Sequence, residues 1–196
     1  MSDTPTRLTP ARIVYKEILG GDLRKLLGES NDTPSGGGAR DLRFPWRAFR
    51  PVMHLIFTQT ATRGDKSFRT AIVHYLDDAR RRQTTTLEYW PATPSRPSED
   101  RVSKVHSSPA LGGSRMPETD RGRIFVVFSQ FTRGEVRCDY AYEDELRAGR
   151  WASAVSTAIL GCMATTAVKN STRSTNFVPT QGYWDFTDGT GFCYAE

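Results

Sequence analysis

A glycine-rich loop at residues 30–40 limits what the N-terminal part of this chain can form. Its sequence, Ser-Asn-Asp-Thr-Pro-Ser-Gly-Gly-Gly-Ala-Arg, combines turn-forming residues with a run of three glycines. Glycine adopts positive φ readily and lets the backbone approach a ligand closely, but ordering it costs conformational entropy. The loop therefore separates the elements on either side of it, and it is either a passive linker or a contact surface.

Strand-forming segments dominate the rest of the chain. Apolar or alternating stretches predict strands at residues 12–18, 41–44, 52–60, 68–76, 84–90, 124–131 and 135–142. Predicted helices are a turn at residues 22–27 with Asp22 as N-cap, a short helix opened by residues 45–49, and one or two helices within residues 142–167. We expect a mainly β (α+β) fold of antiparallel strands with a few short helices.

The length of 196 residues fits one domain with short appendages. We predict a polar leader at residues 1–11, a domain at residues 12–169, and a C-terminal extension at residues 170–196. That extension either packs on the domain or leads to a missing catalytic domain. Residues 91–122 contain five prolines and predict a long loop that is functional or partly disordered.

Positive charge is concentrated in one region of the chain. The net charge is +5, but residues 40–123 hold 16 Lys and Arg against 9 Asp and Glu, whereas residues 124–196 hold 6 against 8. A regional excess of this kind indicates a face that binds a polyanion. Arginine outnumbers lysine 22 to 5, which favours recognition of phosphate and guanine or reflects a high-GC genome.

The cysteines and the apolar segments indicate a cytoplasmic protein that does not bind a membrane. Cys138, Cys162 and Cys193 are far apart, and their spacing is not that of a zinc site. We expect all three to be reduced. The N-terminus has no signal-peptide core, and no apolar run approaches the roughly 18 residues of a membrane helix.

Catalytic motifs are missing from the sequence. It contains no Walker loop, dinucleotide fingerprint or His-Glu-x-x-His motif. Histidines 54, 74 and 106 lie in two predicted strands and a loop, where packed side chains are commoner than catalytic ones. We predict no catalysis in this chain. One alternative is a compact metal-dependent nuclease that uses Glu135, Asp139 and Glu143, and another is a protein-interaction module built on residues 91–122.

Two basic loops are candidate DNA contacts. The first covers residues 31–43, and the second is Arg-Arg-Arg-Gln-Thr-Thr at residues 80–85. Arginine can bind guanine in a bidentate manner, glutamine or asparagine can pair with adenine, and hydroxyl and backbone N–H groups hold phosphates. The second loop is equally typical of a solvated hairpin turn.

The order of short motifs resembles the N-terminal effector-DNA-binding domain of the EcoRII restriction endonuclease family. That family has a Ser-x-Asn-Asp-Thr-Gly-x-x-Gly-Gly loop after its first strand, and residues 30–37 are similar, although one residue shorter and with Pro34 in place of glycine. Its later motifs resemble residues 42–45, 71–75, 80–85, 87–90, 108–111 and 120–122. The resemblance covers residues 12–147.

The resemblance implies a DNA-binding pseudobarrel that holds duplex DNA between two arms, at residues 31–43 and 79–86. It implies base contacts by Arg40, Arg43, Arg81, Arg82 and Gln83, and phosphate contacts by Lys66 and Arg80. The other implied DNA-binding residues are Asn31, Asp32, Thr33, Ser35, Gly36, Gly37, Thr84 and Thr85.

The function implied is sequence-specific recognition of double-stranded DNA in a restriction or defence system. The chain would be the DNA-binding domain of a type II restriction endonuclease, excised from it or acting with a separate nuclease subunit. No cofactor is expected, and Mg²⁺ would be needed only by an attached nuclease domain. The second arm departs from the family's alternation of basic and acidic residues, so the target sequence need not be shared.

Overall fold

The structure is a computed structural model, and it describes residues 8–28, 40–94, 97, 99–172 and 177–194. The strands are β1 (Arg12–Glu17), β2 (Leu42–Pro45), β3 (Gln59–Arg63), β4 (Lys66–Leu76), β5 (Arg82–Trp90), β6 (Glu99–Val102), β7 (Ile124–Gln130), β8 (Val136–Tyr142), β9 (Gln181–Asp185) and β10 (Thr190–Tyr194). The α-helices are α1 (Gly20–Leu27), α2 (Trp46–Ile56), α3 (Glu143–Arg147) and α4 (Ser153–Thr172). The expected mainly β composition with a few helices is confirmed, although α4 is longer than expected.

The chain divides into two compact units. The first unit comprises Met1–Ile18, Pro117–Glu135 and Tyr140–Glu196, and the second comprises Leu19–Met116 and Val136–Asp139. By sequence, the second unit holds 17 Lys and Arg against 11 Asp and Glu, a net charge of +6, and the first holds 10 against 11, a net of −1. The positive charge of the protein therefore belongs to the second unit.

In the first unit, four antiparallel strands follow the order β10–β9–β1–β7. Tyr15 of β1 and Phe125 of β7 lie in one buried cluster with Ile159 and Met163 of α4. The helix therefore covers one face of these strands with its apolar side.

A buried ion pair fixes the end of β1 in the first unit. Glu17 accepts hydrogen bonds from Arg123 Nε and Nη2 at 2.7 and 2.6 Å, and from the backbone N–H of Thr180 at 2.8 Å. Arg123 Nη2 also donates to the Thr180 hydroxyl at 2.6 Å. The buried carboxylate is therefore paired as well as hydrogen-bonded, as a buried charge requires.

Cys162 of α4 and Cys193 of β10 form a disulfide, with their Cα atoms 5.3 Å apart. The expectation that all three cysteines are reduced is therefore wrong for this pair. Cys138 is free and buried. The pairing could not be read from spacing, because helix α4 and the last hairpin come together only in the folded unit.

In the second unit, the strands follow the order β8–β4–β5–β6–β2, and β3 also pairs with β4. The pairs are antiparallel except for β4 with β8, which are parallel at Val73 and Val136. Helix α2 lies against one face, where Phe49 packs on Phe44 and the following Phe57 stacks on Tyr89, both with ring centroids 5.4 Å apart. This one parallel pair departs from the expected antiparallel arrangement.

Two local predictions for the second unit are wrong. Residues 52–60 were expected to form a buried strand, but α2 continues to Ile56 because Phe49, Met53 and Ile56 recur at helical spacing and are buried together. Asp22 was expected to cap α1, but Leu19 is the N-cap. Asp22 lies in the first turn and accepts a hydrogen bond from Lys25 Nζ at 2.9 Å.

Candidate nucleic-acid interface

The sheet of the second unit has one covered face and one open face. Along β5, Leu87 and Tyr89 are buried, whereas Arg82, Thr84 and Thr86 are exposed. This alternation follows from the two-residue period of a strand. Ile72 of β4 lies opposite Thr86 and is 53% exposed, so the centre of the open face is accessible.

Among the ion pairs of the second unit, three hold arginines on or beside the open face of the sheet. Arg63 Nη2 lies 2.6 Å from Glu88 Oε1, Arg101 Nε lies 3.3 Å from Asp41 Oδ2, and Arg43 Nη1 lies 3.1 Å from Glu99 Oε2. Arg43 and Arg101 are register partners, and Arg101 is the partner of Trp90 in β5, so these three residues share the open face. The acidic partners hold the guanidinium groups in defined positions on the sheet.

An aromatic pair lies beside these arginines. The rings of Phe68 and Trp90 stack with centroids 4.3 Å apart and planes inclined by 10°. The Arg63 guanidinium lies 5.2 Å from the Phe68 centroid and 5.4 Å from the Trp90 centroid, and that of Arg101 lies 6.0 Å from Trp90. Contacts of this kind stabilise guanidinium groups over ring faces, so they rigidify this part of the sheet.

The turn between β4 and β5 is organised by Asp77. Its carboxylate accepts hydrogen bonds from the backbone N–H of Arg81 at 2.8 Å, from Arg81 Nε at 2.9 Å and from Gln83 Nε2 at 3.3 Å. These hydrogen bonds lower the pKa of Asp77, and the one from the backbone N–H of Arg81 has the largest effect. Arg80 adopts a φ of 57° at the turn. The predicted second arm is therefore an ordered hairpin turn with three consecutive exposed arginines, Arg80, Arg81 and Arg82.

A second basic group lies where β2 begins. Arg40 Nη1 is 3.1 Å from His106 Nε2, and the Arg40 carbonyl accepts a hydrogen bond from the Val105 N–H at 3.0 Å. Burial, and then the Arg40 charge, lower the pKa of His106, which favours a neutral ring whose Nε2 accepts a hydrogen bond from Arg40. Lys104 adopts a φ of 56°, and its N–H donates to Asp41 Oδ1 at 3.2 Å.

The register places the start of β2 level with Tyr89, seven residues or about 23 Å along β5 from Arg82. Leu42 pairs with Val102, which pairs with Tyr89 of β5, and the chain enters β2 from Arg40. Strands β2 and β5 therefore run in the same direction. Arg40 precedes Leu42, so it lies beyond Leu42 in the direction that leads along β5 from Tyr89 to Arg82. The β4–β5 turn lies in that direction, so Arg40 lies on the side of β2 that is nearer to the turn.

The structure does not bring all the predicted contact residues together. Lys66 begins β4 at the opposite end, and the 11 residues of β4 span about 33 Å at about 3.3 Å per residue. Gln83 and Thr85 lie on the face opposite to Arg82 and Thr84, because neighbouring side chains alternate. Of the predicted contact residues, six lie outside the described ranges: Asn31, Asp32, Thr33, Ser35, Gly36 and Gly37.

Sequence reasoning missed the acidic partners of these arginines and strand β6, which carries one of them. Residues 99–102 were assigned to a long loop, yet they form β6 and supply Glu99 to Arg43. For Asp77 a signal existed, because an aspartate that begins a tight turn often binds the backbone N–H groups that follow. No such local signal exists for Glu88, which is 25 residues from Arg63 along the chain.

The carboxylates of the alternative nuclease hypothesis have other partners. Asp139 Oδ1 accepts a hydrogen bond from Arg115 Nη2 at 2.8 Å, and Glu143 Oε1 accepts one from Arg147 Nε at 2.9 Å. Within the described ranges, no group of three His, Cys, Asp or Glu is arranged to hold a metal ion.

Comparison with known proteins does not identify this chain. It matches no protein-family model, no curated protein and no solved structure. Among the described residues, no helix is long and apolar enough to cross a membrane.

Proposed function

We propose that this protein recognises specific sequences in double-stranded DNA through the basic β4–β5 turn and the basic start of β2 in its second unit. The observation that carries the proposal is a pair of basic segments on one sheet, the exposed β4–β5 turn and the start of β2 about 23 Å along β5 from Arg82. Three consecutive exposed arginines occupy the first, and Arg40 and Lys104 lie at the second. A strand pair that carries arginines is a known means of reading a DNA groove.

Electrostatics supports the same surface. The net charge of +6 in the second unit attracts a polyanion at long range. Neutralising phosphates releases counterions, and this release supplies most of the sequence-independent affinity. Arg80 and Lys104, at turns with positive φ, are suited to phosphate contacts.

Specificity would come from arginines held in fixed orientations. Asp77 fixes the Nε edge of Arg81, while 74% of that side chain stays exposed. A guanidinium oriented in this way loses less conformational entropy when it binds a guanine edge. Arg82 lies on the open face next to the turn, where it would follow Arg81 into the same groove.

The biological role would be DNA recognition in a restriction or defence system. In the EcoRII-like arrangement, the strands would form a DNA-binding pseudobarrel, and a nuclease domain or subunit would supply cleavage. The chain itself would bind DNA without cutting it. Cleavage of a plasmid by this chain in the presence of Mg²⁺ would contradict that part of the proposal.

Selection of bound duplexes from a random pool, followed by fluorescence anisotropy on the selected duplex, tests the proposal. We expect one enriched sequence and an affinity that falls steeply with salt, with a slope of about −0.9 per phosphate neutralised. Arg81→Ala should cost roughly 1–3 kcal/mol on the selected duplex and relax specificity at one base pair. Arg80→Ala should weaken binding to all duplexes and reduce the salt slope by about 1.

The matched control is Arg147→Ala, which removes an arginine of the first unit that is 63% exposed. It should leave the affinity unchanged. Lys66→Ala removes a cation about 33 Å along β4 from the β4–β5 turn. It should also leave the affinity unchanged if the DNA lies against that turn. Binding with a shallow salt slope and no sequence preference would refute the proposal.

A further inference from the structure

A cavity of about 560 Å³ lies within the first unit. Small residues of α4 and aromatic residues of β1 and the last hairpin line it, and the Cys162–Cys193 disulfide belongs to its wall. The aromatic lining residues are Tyr15, Trp184, Phe186 and Phe192. Among the residues that the structure describes, no charged side chain lines this cavity.

Gly161 keeps the cavity open from the helix side. A Cβ atom at this position would have no heavy atom within 4 Å, so close packing does not require glycine there. Glycine inside a helix costs about 1 kcal/mol relative to alanine, and Gly161 is in the interior of α4. The residue therefore weakens the helix without serving its packing, and its effect is to leave space in the wall.

The Tyr15 hydroxyl is a buried polar group that makes only a weak hydrogen bond. Its residue is 2% exposed, and its hydroxyl contacts the Ala158 carbonyl at 3.5 Å, the outer limit of a hydrogen bond. Burial raises the pKa of Tyr15, so the hydroxyl remains a neutral donor. A buried donor with so long a contact can gain from a better acceptor.

We propose that this cavity binds a small uncharged molecule with a planar aromatic body and one carbonyl-type acceptor. The lining has no counter-ion for a charged ligand, which would lose its hydration without compensation. The aromatic wall fits a planar ring system, and the size lies in the range of small-molecule sites. The Tyr15 hydroxyl would donate to the acceptor of the ligand.

The probe for this site is prodan, a neutral naphthalene ketone whose emission shifts to the blue in an apolar environment. Titration of the full chain should give saturable binding at one site per chain with a blue-shifted emission. An anilinonaphthalene sulfonate of similar ring size carries a negative charge and should bind at least tenfold more weakly. Equal binding of the two probes would overturn the proposal, and so would a failure of prodan to bind.

Gly161→Leu places a side chain in the cavity and removes a helix-destabilising glycine. It should abolish prodan binding while the protein stays folded. Ala164→Leu is the matched control, because it adds the same side chain to an exposed position of α4 outside the lining. Unchanged binding in Gly161→Leu, or equal loss in both variants, would overturn the assignment.

Tyr15→Phe tests the acceptor. Loss of one neutral hydrogen bond should weaken prodan binding about two- to tenfold. For naphthalene, which has no acceptor, the same substitution should leave the affinity unchanged. An equal effect on both molecules would show that Tyr15 acts by packing alone, and it would overturn the hydrogen-bonding part of the proposal.

Discussion

Asp100→Asn should destabilise the second unit because Asp100 is a fully buried carboxylate with four donors. It accepts hydrogen bonds from Arg50 Nε and Nη2 at 2.8 and 2.6 Å, from the Tyr89 hydroxyl at 2.7 Å and from the Ala92 N–H at 2.6 Å. Its exposed fraction is 0%. The amide replaces one acceptor oxygen by a donor NH₂ group, which then faces other donors.

The expected loss in the free energy of unfolding follows from the hydrogen-bond donors that lose their acceptor. Each Asp100 oxygen accepts two of the four bonds, so the substitution breaks two bonds to a charged group. Such bonds contribute about 1.5–3 kcal/mol each. The Arg50 side chain is 32% exposed and can turn to water, which favours the lower end. We expect a loss of about 3 kcal/mol in the free energy of unfolding.

The assay is urea unfolding at pH 7 of the wild type, Asp100→Asn and Glu99→Gln. Glu99 is the neighbouring residue of β6, but its side chain is 43% exposed in its pair with Arg43. Exposed pairs of this kind contribute at most about 1 kcal/mol, so Glu99→Gln should have a small effect. A loss below about 1 kcal/mol for Asp100→Asn, or equal losses for both variants, would refute the reasoning.

The stability loss caused by Asp100→Asn should also depend on pH, and it should be smaller in acid. Burial alone would raise the pKa of Asp100, but hydrogen bonds from Arg50, Tyr89 and Ala92 outweigh it and lower the pKa below its usual range. A carboxyl with a depressed folded pKa stabilises the fold above the unfolded pKa, about 3.9, and loses this contribution as the pH falls through the folded value. The stability difference between wild type and Asp100→Asn should therefore be largest near neutral pH and shrink below about pH 4.

Two further predictions concern the first unit. Gly191→Ala brings a Cβ into the Trp184 ring and the Tyr183 carbonyl, so urea unfolding should show a loss of about 1–3 kcal/mol. The control is Gly161→Ala, which should raise the free energy of unfolding by up to about 1 kcal/mol. No loss of stability in Gly191→Ala would contradict the close contact. Cys193→Ser opens a disulfide that spans 31 positions and should cost about 3–4 kcal/mol. Thiol titration of the unfolded, unreduced wild type should find the Cys138 thiol alone, and three thiols would contradict the pairing.

The β4–β5 hairpin shows how far local sequence goes. Alternating residues at 68–76 and 84–90 around a polar turn predicted the two strands and their pairing, and the structure confirms them. The exposed arginines of the turn followed from the same pattern. Strand periodicity and turn chemistry act between near neighbours, so both can be read directly from the chain.

Helix α2 shows where local sequence is ambiguous. Residues 52–60 are apolar and contain β-branched side chains, which suits a buried strand as well as a buried helix. The segment forms a helix because Phe49, Met53 and Ile56 then share one side and are buried against the sheet of the second unit. That sheet is assembled from distant strands, so the outcome depends on tertiary packing.

Composition and periodicity were enough to predict the mainly β fold, the regional positive charge and the basic turn between β4 and β5. The fold alone fixed how far apart the β4–β5 turn and the start of β2 lie on one sheet, and that Lys66 lies at the end of β4 away from the turn. It also decided which carboxylates pair with the arginines and that Cys162 bonds to Cys193. Composition and periodicity are local properties, whereas these contacts join residues that meet only when strands from separate parts of the chain pair and a core excludes water.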